Sequence, residues 1–120
     1  MNRINSYDLD GVVIMSEPYI GLTPAVDDII ITGRSYTQKD ETLKILRGRG
    51  INNFVYFNPM SRSDPLYCRG ASGNWKSKVI ESLLNMGIHV EMHFEDDPLQ
   101  IERIEERVTK CKVVKIGNWT

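Results

Sequence analysis

The feature that most constrains this chain is the recurrence of short β-branched or aromatic runs separated by segments with helical punctuation. Asp28-Ile29-Ile30-Ile31-Thr32 is apolar at consecutive positions, a pattern expected of a strand whose two faces are both covered. Residues 4–8, 53–57, 88–94 and 112–116 repeat the theme. Strands alternating with helical segments predict βαβ units and a parallel sheet. No internal repeat or long linker interrupts the 120 residues, so the expectation is a single α/β domain over residues 1–120. A chain of this length buries roughly two-thirds of its unfolded surface, enough for a core without disulfides or a structural metal.

Three helices carry start and stop signals. The first is expected from Thr37, with Asp40 three residues later in a capping-box pattern, Leu43 and Leu46 inward, and an end at Gly48 and Gly50. The second is expected over 74–86, stopping at Gly87. The third opens with Asp97 as N-cap and Pro98 at the first helical position, then places Ile101, Ile104 and Val108 on one stripe. On a wheel of about 100° per residue, the second helix gathers Trp75, Val79, Ile80, Leu83, Leu84 and Met86 into an apolar arc. Ser77, Lys78, Glu81, Ser82 and Asn85 fill the polar one. Lys76 breaks the partition, because it falls in the middle of the apolar face. Its ammonium must either snorkel to water or meet an anion.

Charge and apolar content exclude several classes. Fifteen basic against sixteen acidic residues leave a net charge of −1, which gives no overall field for gripping bare nucleic acid. A local patch remains open: residues 59–73 mix Arg62, Tyr67 and Arg69 ahead of Trp75, a combination that suits phosphate or base contact as well as a plain surface loop. The first six residues lack the apolar stretch of a secretory signal, and the apolar runs at 12–15 and 29–31 are far below membrane-spanning length. The expectation is a cytoplasmic protein with no membrane partner. Cys68 and Cys111 belong to no Cys-x-x-Cys or Cys/His cluster and read as free thiols.

The chemistry-bearing residues fall where strands end. In an open parallel sheet ligands bind at the carboxyl ends of the strands. Asp8-Leu9-Asp10-Gly11 follows the first strand, Thr32-Gly33-Arg34 closes the second, and Glu95-Asp96-Asp97 follows the fourth. A calcium loop is excluded by spacing, since neither a glycine at loop position six nor a glutamate at twelve follows Asp8. With Lys76 added, this is the inventory for phosphoryl transfer through an aspartate: one carboxylate attacks, a second handles the leaving-group proton, oxygen ligands hold Mg²⁺, and a hydroxyl with a cation holds the phosphoryl oxygens. Along the fourth strand His89, Glu91 and His93 share one face by strict alternation. Their spacing allows a metal site, but no further ligand lies near, and a partly exposed face reads the same way.

In these motifs the chain resembles the haloacid dehalogenase-like (HAD-like) superfamily of phosphohydrolases: Asp8-Leu9-Asp10-Gly11, Thr32 at the end of Ile29-Ile30-Ile31, Lys76 in a helix, and Glu95-Asp96-Asp97, in that order over nearly the whole chain. The resemblance implies a Rossmann-like three-layer sandwich with a parallel sheet ordered 3-2-1-4-5. It implies Asp8 as nucleophile and metal ligand, and Asp10 as general acid and base whose backbone carbonyl also reaches the metal. Thr32 would bind a phosphoryl oxygen and Lys76 would neutralise developing charge, with Lys78 the alternative lysine. Asp96 would be the further Mg²⁺ ligand, with Asp97 able to join it although its N-cap role already accounts for it; Glu95 would support the ligands from behind. Thr32-Gly33-Arg34 resembles the polynucleotide 3′-phosphatase branch, which adds Gly33 and Arg34 to the substrate-binding set. Superfamily members usually carry a cap domain after the first or the third strand. The intervals 9–27 and 58–73 are too short for one, so the resemblance implies an open site suited to a phosphorylated macromolecule, a nucleic-acid end or a nucleotide. The alternative is a regulatory protein that binds phosphate without turnover.

Overall fold

The computed structural model describes residues 2–16 and 19–117; Glu17 and Pro18, within the interval 9–27, lie outside the described residues. Five strands, β1 (Asn2–Tyr7), β2 (Ile29–Ser35), β3 (Val55–Asn58), β4 (Ile88–Glu95) and β5 (Lys112–Lys115), form one sheet in the order β3-β2-β1-β4-β5. Every pairing is parallel. The helices are α1 (Lys39–Gly48), α2 (Arg69–Asn85) and α3 (Pro98–Arg107). Adjacent Ile30 and Ile31 are both fully buried, on opposite faces of β2. Ile31 packs with Ile80 and Leu83 of α2 and with Ile101 and Ile104 of α3. Ile30 packs with Leu46 of α1 and with Leu9, Val12 and Val13, which follow β1. The consecutive apolar run in β2 is thus explained by two separate cores in a three-layer α/β arrangement.

Chain order reverses at β1, since β2 and β3 build outward on one side before the chain crosses to β4 on the other. The carboxyl ends of β1 and β4 therefore flank the crevice where parallel sheets bind ligands. Among the described residues, neither 8–28 nor 59–68 contains a helix or strand beyond the isolated bridge Asp10–Ile14. No helix there is long and apolar enough to cross a membrane.

Three local expectations need correction. The capping box starts two residues earlier than Thr37: the Ser35 hydroxyl accepts from the Thr37 N–H, and Gln38 reaches back to the Ser35 N–H, capping a short 3₁₀ turn (Tyr36–Gln38) that leads into α1. Helix α2 begins five residues before Asn74, with the Cys68 sulfur accepting from the Ala71 N–H. It runs through Gly73 because α3 lies against that glycine: a Cβ there would sit 3.0 Å from the Gln100 Cα. The third correction concerns β4, where Ile4 pairs with Val90 but Asn5 pairs with Met92, leaving Glu91 as an extra residue. Such a bulge reverses the alternation beyond it. Val90 joins the α2/α3 core, while Phe94 stacks on Tyr7 at 4.7 Å on the other face. His93 and Glu95 consequently turn toward α2, whereas Glu91 stays exposed and His89 bonds the Lys110 carbonyl. The three residues do not share a face, and the metal reading of that triplet falls.

Leu46 is the only apolar side chain of α1 that is fully buried. Leu46→Ala is expected to cost about 2–5 kcal/mol, read as a lower urea midpoint with an unchanged slope.

Candidate active site

The segment after β1 is fixed from within. The Asp8 N–H donates to the Phe94 carbonyl at 2.9 Å, and the fully buried Leu9 offers its carbonyl to the N–H groups of Val13 and Ile14. Leu9 is the plug, so the carboxylates on either side are delivered to the sheet's edge: Asp8 buried, Asp10 exposed. Gly11 follows at φ +83°, where an L side chain is strained. A Cβ on it would also lie 1.9 Å from an Asp96 oxygen. The glycine thus lets the β1 and β4 ends, and with them Asp8 and Asp96, close on one point.

Lys76 does not snorkel. It is 1% exposed, and its Nζ donates to Asp8 Oδ1 and to Glu95 Oε1, each at 2.8 Å. The apolar-face position of Lys76 on α2 is what carries its ammonium into the crevice; Lys78 stays exposed. Glu95 is fully buried and saturated: Oε1 also takes His93 Nε2 at 3.1 Å, and Oε2 faces the N–H groups of Asp96 and Asp97 at 3.3 and 3.4 Å. Burial alone would raise Glu95, but Lys76 and His93 outweigh it and hold its carboxyl far below the usual range. Burial opposes the Lys76 ammonium, and its two carboxylates more than restore it. Asp8 moves the other way. Burial pushes it well above the ordinary carboxylate range, Lys76 opposes this, and Glu95 adds to it.

Beyond this centre stand two arginine–carboxylate pairs. The register of β2 against β3 skips from Thr32 to Ser35, so Gly33 and Arg34 bulge out of the strand. Arg34 is thereby aimed at Asp10 and grips it through two nitrogens at 2.7 and 2.8 Å, with a third bond to Thr42. Thr32 is buried, and its hydroxyl accepts from the Arg34 N–H at 3.0 Å. Arg69 holds Asp97 at 2.6 and 3.0 Å, and Asp97 also accepts from the Leu99 and Gln100 N–H groups as the N-cap of α3. That leaves Asp97 with little to offer a metal.

A cavity of about 450 Å³ is lined by Asp8, Asp10, Gly33, Arg34, Lys76 and Asp96, together with Tyr67, Arg69 and Asp97 among others. The structure thus brings together every expected site residue except Thr32, which lies behind the bulge. Of the basic and aromatic residues around 59–75, Tyr67 and Arg69 reach the cavity. Tyr67 donates to the Gly33 carbonyl, while Trp75 packs on the core. Sequence reasoning missed Tyr67 as a brace and His93 as a buried partner; the bulge in β4, which sets His93, has only Asn5 as a signal, its side chain accepting the Met92 N–H.

The donor set fits a small hard cation. Asp8, Glu95 and Asp96 each offer a carboxylate oxygen within 4.8 Å of the others. Glu95 is spent on protein donors, leaving Asp8 and Asp96 free to ligate. One ammonium faces three carboxylates here, and burial also raises Asp96. A divalent cation with oxygen preference, such as Mg²⁺, would balance that excess. No family model, curated protein or solved structure matches this chain.

His93 lies below its ordinary 6.5 because burial penalises the imidazolium, with Glu95 opposing the shift and Lys76 reinforcing it. The unfolded chain therefore binds a proton that the folded chain refuses, and stability falls as pH drops through that value. Asp8 contributes with the opposite sign, so the comparison must be with a variant. Between about pH 7 and pH 5, urea unfolding is expected to show the wild type losing more stability than His93→Gln, by at most about 1.4 kcal/mol per pH unit. Parallel curves would contradict the assignment.

Proposed function

We propose that this chain is a Mg²⁺-dependent phosphatase that hydrolyses a phosphate monoester through an aspartyl phosphate on Asp8, on a capless fold of the HAD-like kind. The observation that carries the reading is the buried ammonium of Lys76, 2.8 Å from Asp8 at the switch point, with Asp96 closing on the same place through Gly11. An aspartate so placed attacks phosphorus with its free oxygen while the ester bond to the leaving group breaks. Asp10, nearer the opening, gives that leaving oxygen a proton. Asp10 then takes a proton from water, which attacks the phosphorus, releases phosphate and restores Asp8. Lys76 offsets the charge that builds on the phosphoryl oxygens, with Gly33 and Arg34 on the cavity wall supplying further donors and Thr32 bracing the Arg34 main chain from behind. Held by Asp8 and Asp96, Mg²⁺ would neutralise those oxygens further. The intervals after β1 and β3, too short for a lid, favour a nucleic-acid end, a nucleotide or another bulky phosphate over a small enclosed metabolite.

One contact favours a second reading. Arg34 clasps Asp10 through two hydrogen bonds, and Asp10 can serve as acid only once an incoming phosphate draws Arg34 away. A clasp that never opens leaves a protein that binds phosphate without turning it over.

The test is phosphate release with and without Mg²⁺ from a panel of 3′-phosphorylated oligonucleotides, mononucleotides, sugar phosphates and an aryl phosphate. Release is expected with Mg²⁺, falling by about 10³-fold or more in Asp8→Asn, with no drop in thermal midpoint, because the neutral amide removes a buried carboxylate held at a cost. Silence across the panel with Mg²⁺ still bound selects the binding protein. Independently, Mg²⁺ is expected to raise the midpoint of the wild type and not of Asp96→Asn.

A further inference from the structure

The phosphatase reading leaves one buried titratable group unused. His93 is fully buried and does not line the cavity, yet it is bonded at both ring nitrogens. Nε2 lies 3.1 Å from Glu95 Oε1 and Nδ1 lies 2.7 Å from the Ser6 hydroxyl. The Glu95 carboxylate only accepts, so Nε2 carries the hydrogen, and Nδ1 accepts from Ser6. A line of hydrogen bonds then runs from Ser6 in β1 through His93 and Glu95 to Lys76 and Asp8.

We propose that His93 is a positioning residue: by donating to Glu95 it sets how the Lys76 ammonium is divided between Glu95 and Asp8. The inference rests on the phosphatase reading for its kinetic consequence and on geometry for the rest. Lys76 stands at the same 2.8 Å from each carboxylate, so its place is a balance of two pulls. Glu95 shares its charge among Lys76, His93 and two main-chain N–H groups. Without the His93 donor, Oε1 has the ammonium alone to accept from, and in a buried site that unmet demand is strong. The ammonium then moves toward Glu95 and away from Asp8. The reach of His93 is itself built in, because only the extra residue at Glu91 turns it toward α2. Ser6 keeps the ring in the donating tautomer.

The experiment compares wild type, His93→Leu, His93→Gln and Ser6→Ala. The glutamine amide can place a donor near the Nε2 position; leucine cannot. In ¹⁵N NMR of the lysine ammonium groups, the Lys76 signal is expected to shift in His93→Leu and to stay near its wild-type position in His93→Gln. With an aryl phosphate, kcat should fall about tenfold in His93→Leu with KM within about twofold, and recover in His93→Gln. Ser6→Ala should fall between them. Should the leucine variant not fold, a Lys76 signal unmoved in Ser6→Ala overturns the proposal. So does a Lys76 signal unmoved in folded His93→Leu, equal loss in the leucine and glutamine variants, or a loss confined to KM. A wild type inactive on every phosphate, but with the expected ammonium shifts, overturns the phosphatase reading and upholds the positioning role.

Discussion

A lysine ammonium buried between two carboxylates is the interaction on which the rest of this structure turns. Removing the ammonium costs about 3–5 kcal/mol, because two carboxylates are then stranded in a medium that cannot solvate them. Every element around Lys76 answers to that requirement. β1 ends so that Asp8 faces it, and β4 carries an extra residue so that Glu95 and His93 face it. α2 accepts two glycines in its first turns and packs closely on α3 through one of them. A site that only needed stability would use apolar residues of similar volume. The retention of one cation among three acids is what points to chemistry.

Much of this was legible in the sequence. The β-branched run of β2 announced a strand covered on both faces, and Asp97-Pro98 announced the start of α3. Lys76 stood out because it violated the apolar arc of its own helix, and that violation is the site. The features that were not legible are those set by tertiary register. Period-two reasoning placed His89, Glu91 and His93 on one face, and a single extra residue in β4 undid it, since the alternation carries no mark of where a bulge falls. The early start of α2 was hidden because Gly70, Ser72 and Gly73 are poor helix formers; the helix persists there because α3 needs the space that a side chain would fill. The clasp of Arg34 on Asp10 was hidden too, because the bulge at Gly33-Arg34 decides where that guanidinium points.

The two arginine pairs differ from the buried centre in kind. Arg34–Asp10 and Arg69–Asp97 lie toward solvent, where an ion pair of good geometry contributes little and water can replace either partner. Their value is in orientation. Arg69 holds Asp97 beside the α3 N-terminus, where main-chain N–H groups favour a negative charge. Arg34 holds Asp10 while its own N–H is tied to Thr32. The solvent-facing charges of the cavity are therefore at its rim, and the buried ones at its floor.

This division bears on how an open site can exclude water from its chemistry. An enclosed enzyme does so with a lid, and among the described residues the intervals after β1 and β3 hold no helix or strand beyond the isolated Asp10–Ile14 bridge. Here the floor is already shielded: Asp8, Lys76, Glu95 and His93 are buried before any ligand arrives. Their hydrogen bonds cost no reorganisation when charge develops above them. A phosphoryl group would need only to displace solvent from the rim, and an anionic ligand does that by competing for the arginines. The same arrangement accounts for why Asp8, the one floor carboxylate that also lines the cavity, is raised by burial while Glu95 is held low by its partners. It borders space that a ligand and a cation would fill, and a cation there would add to the compensation that Lys76 alone supplies.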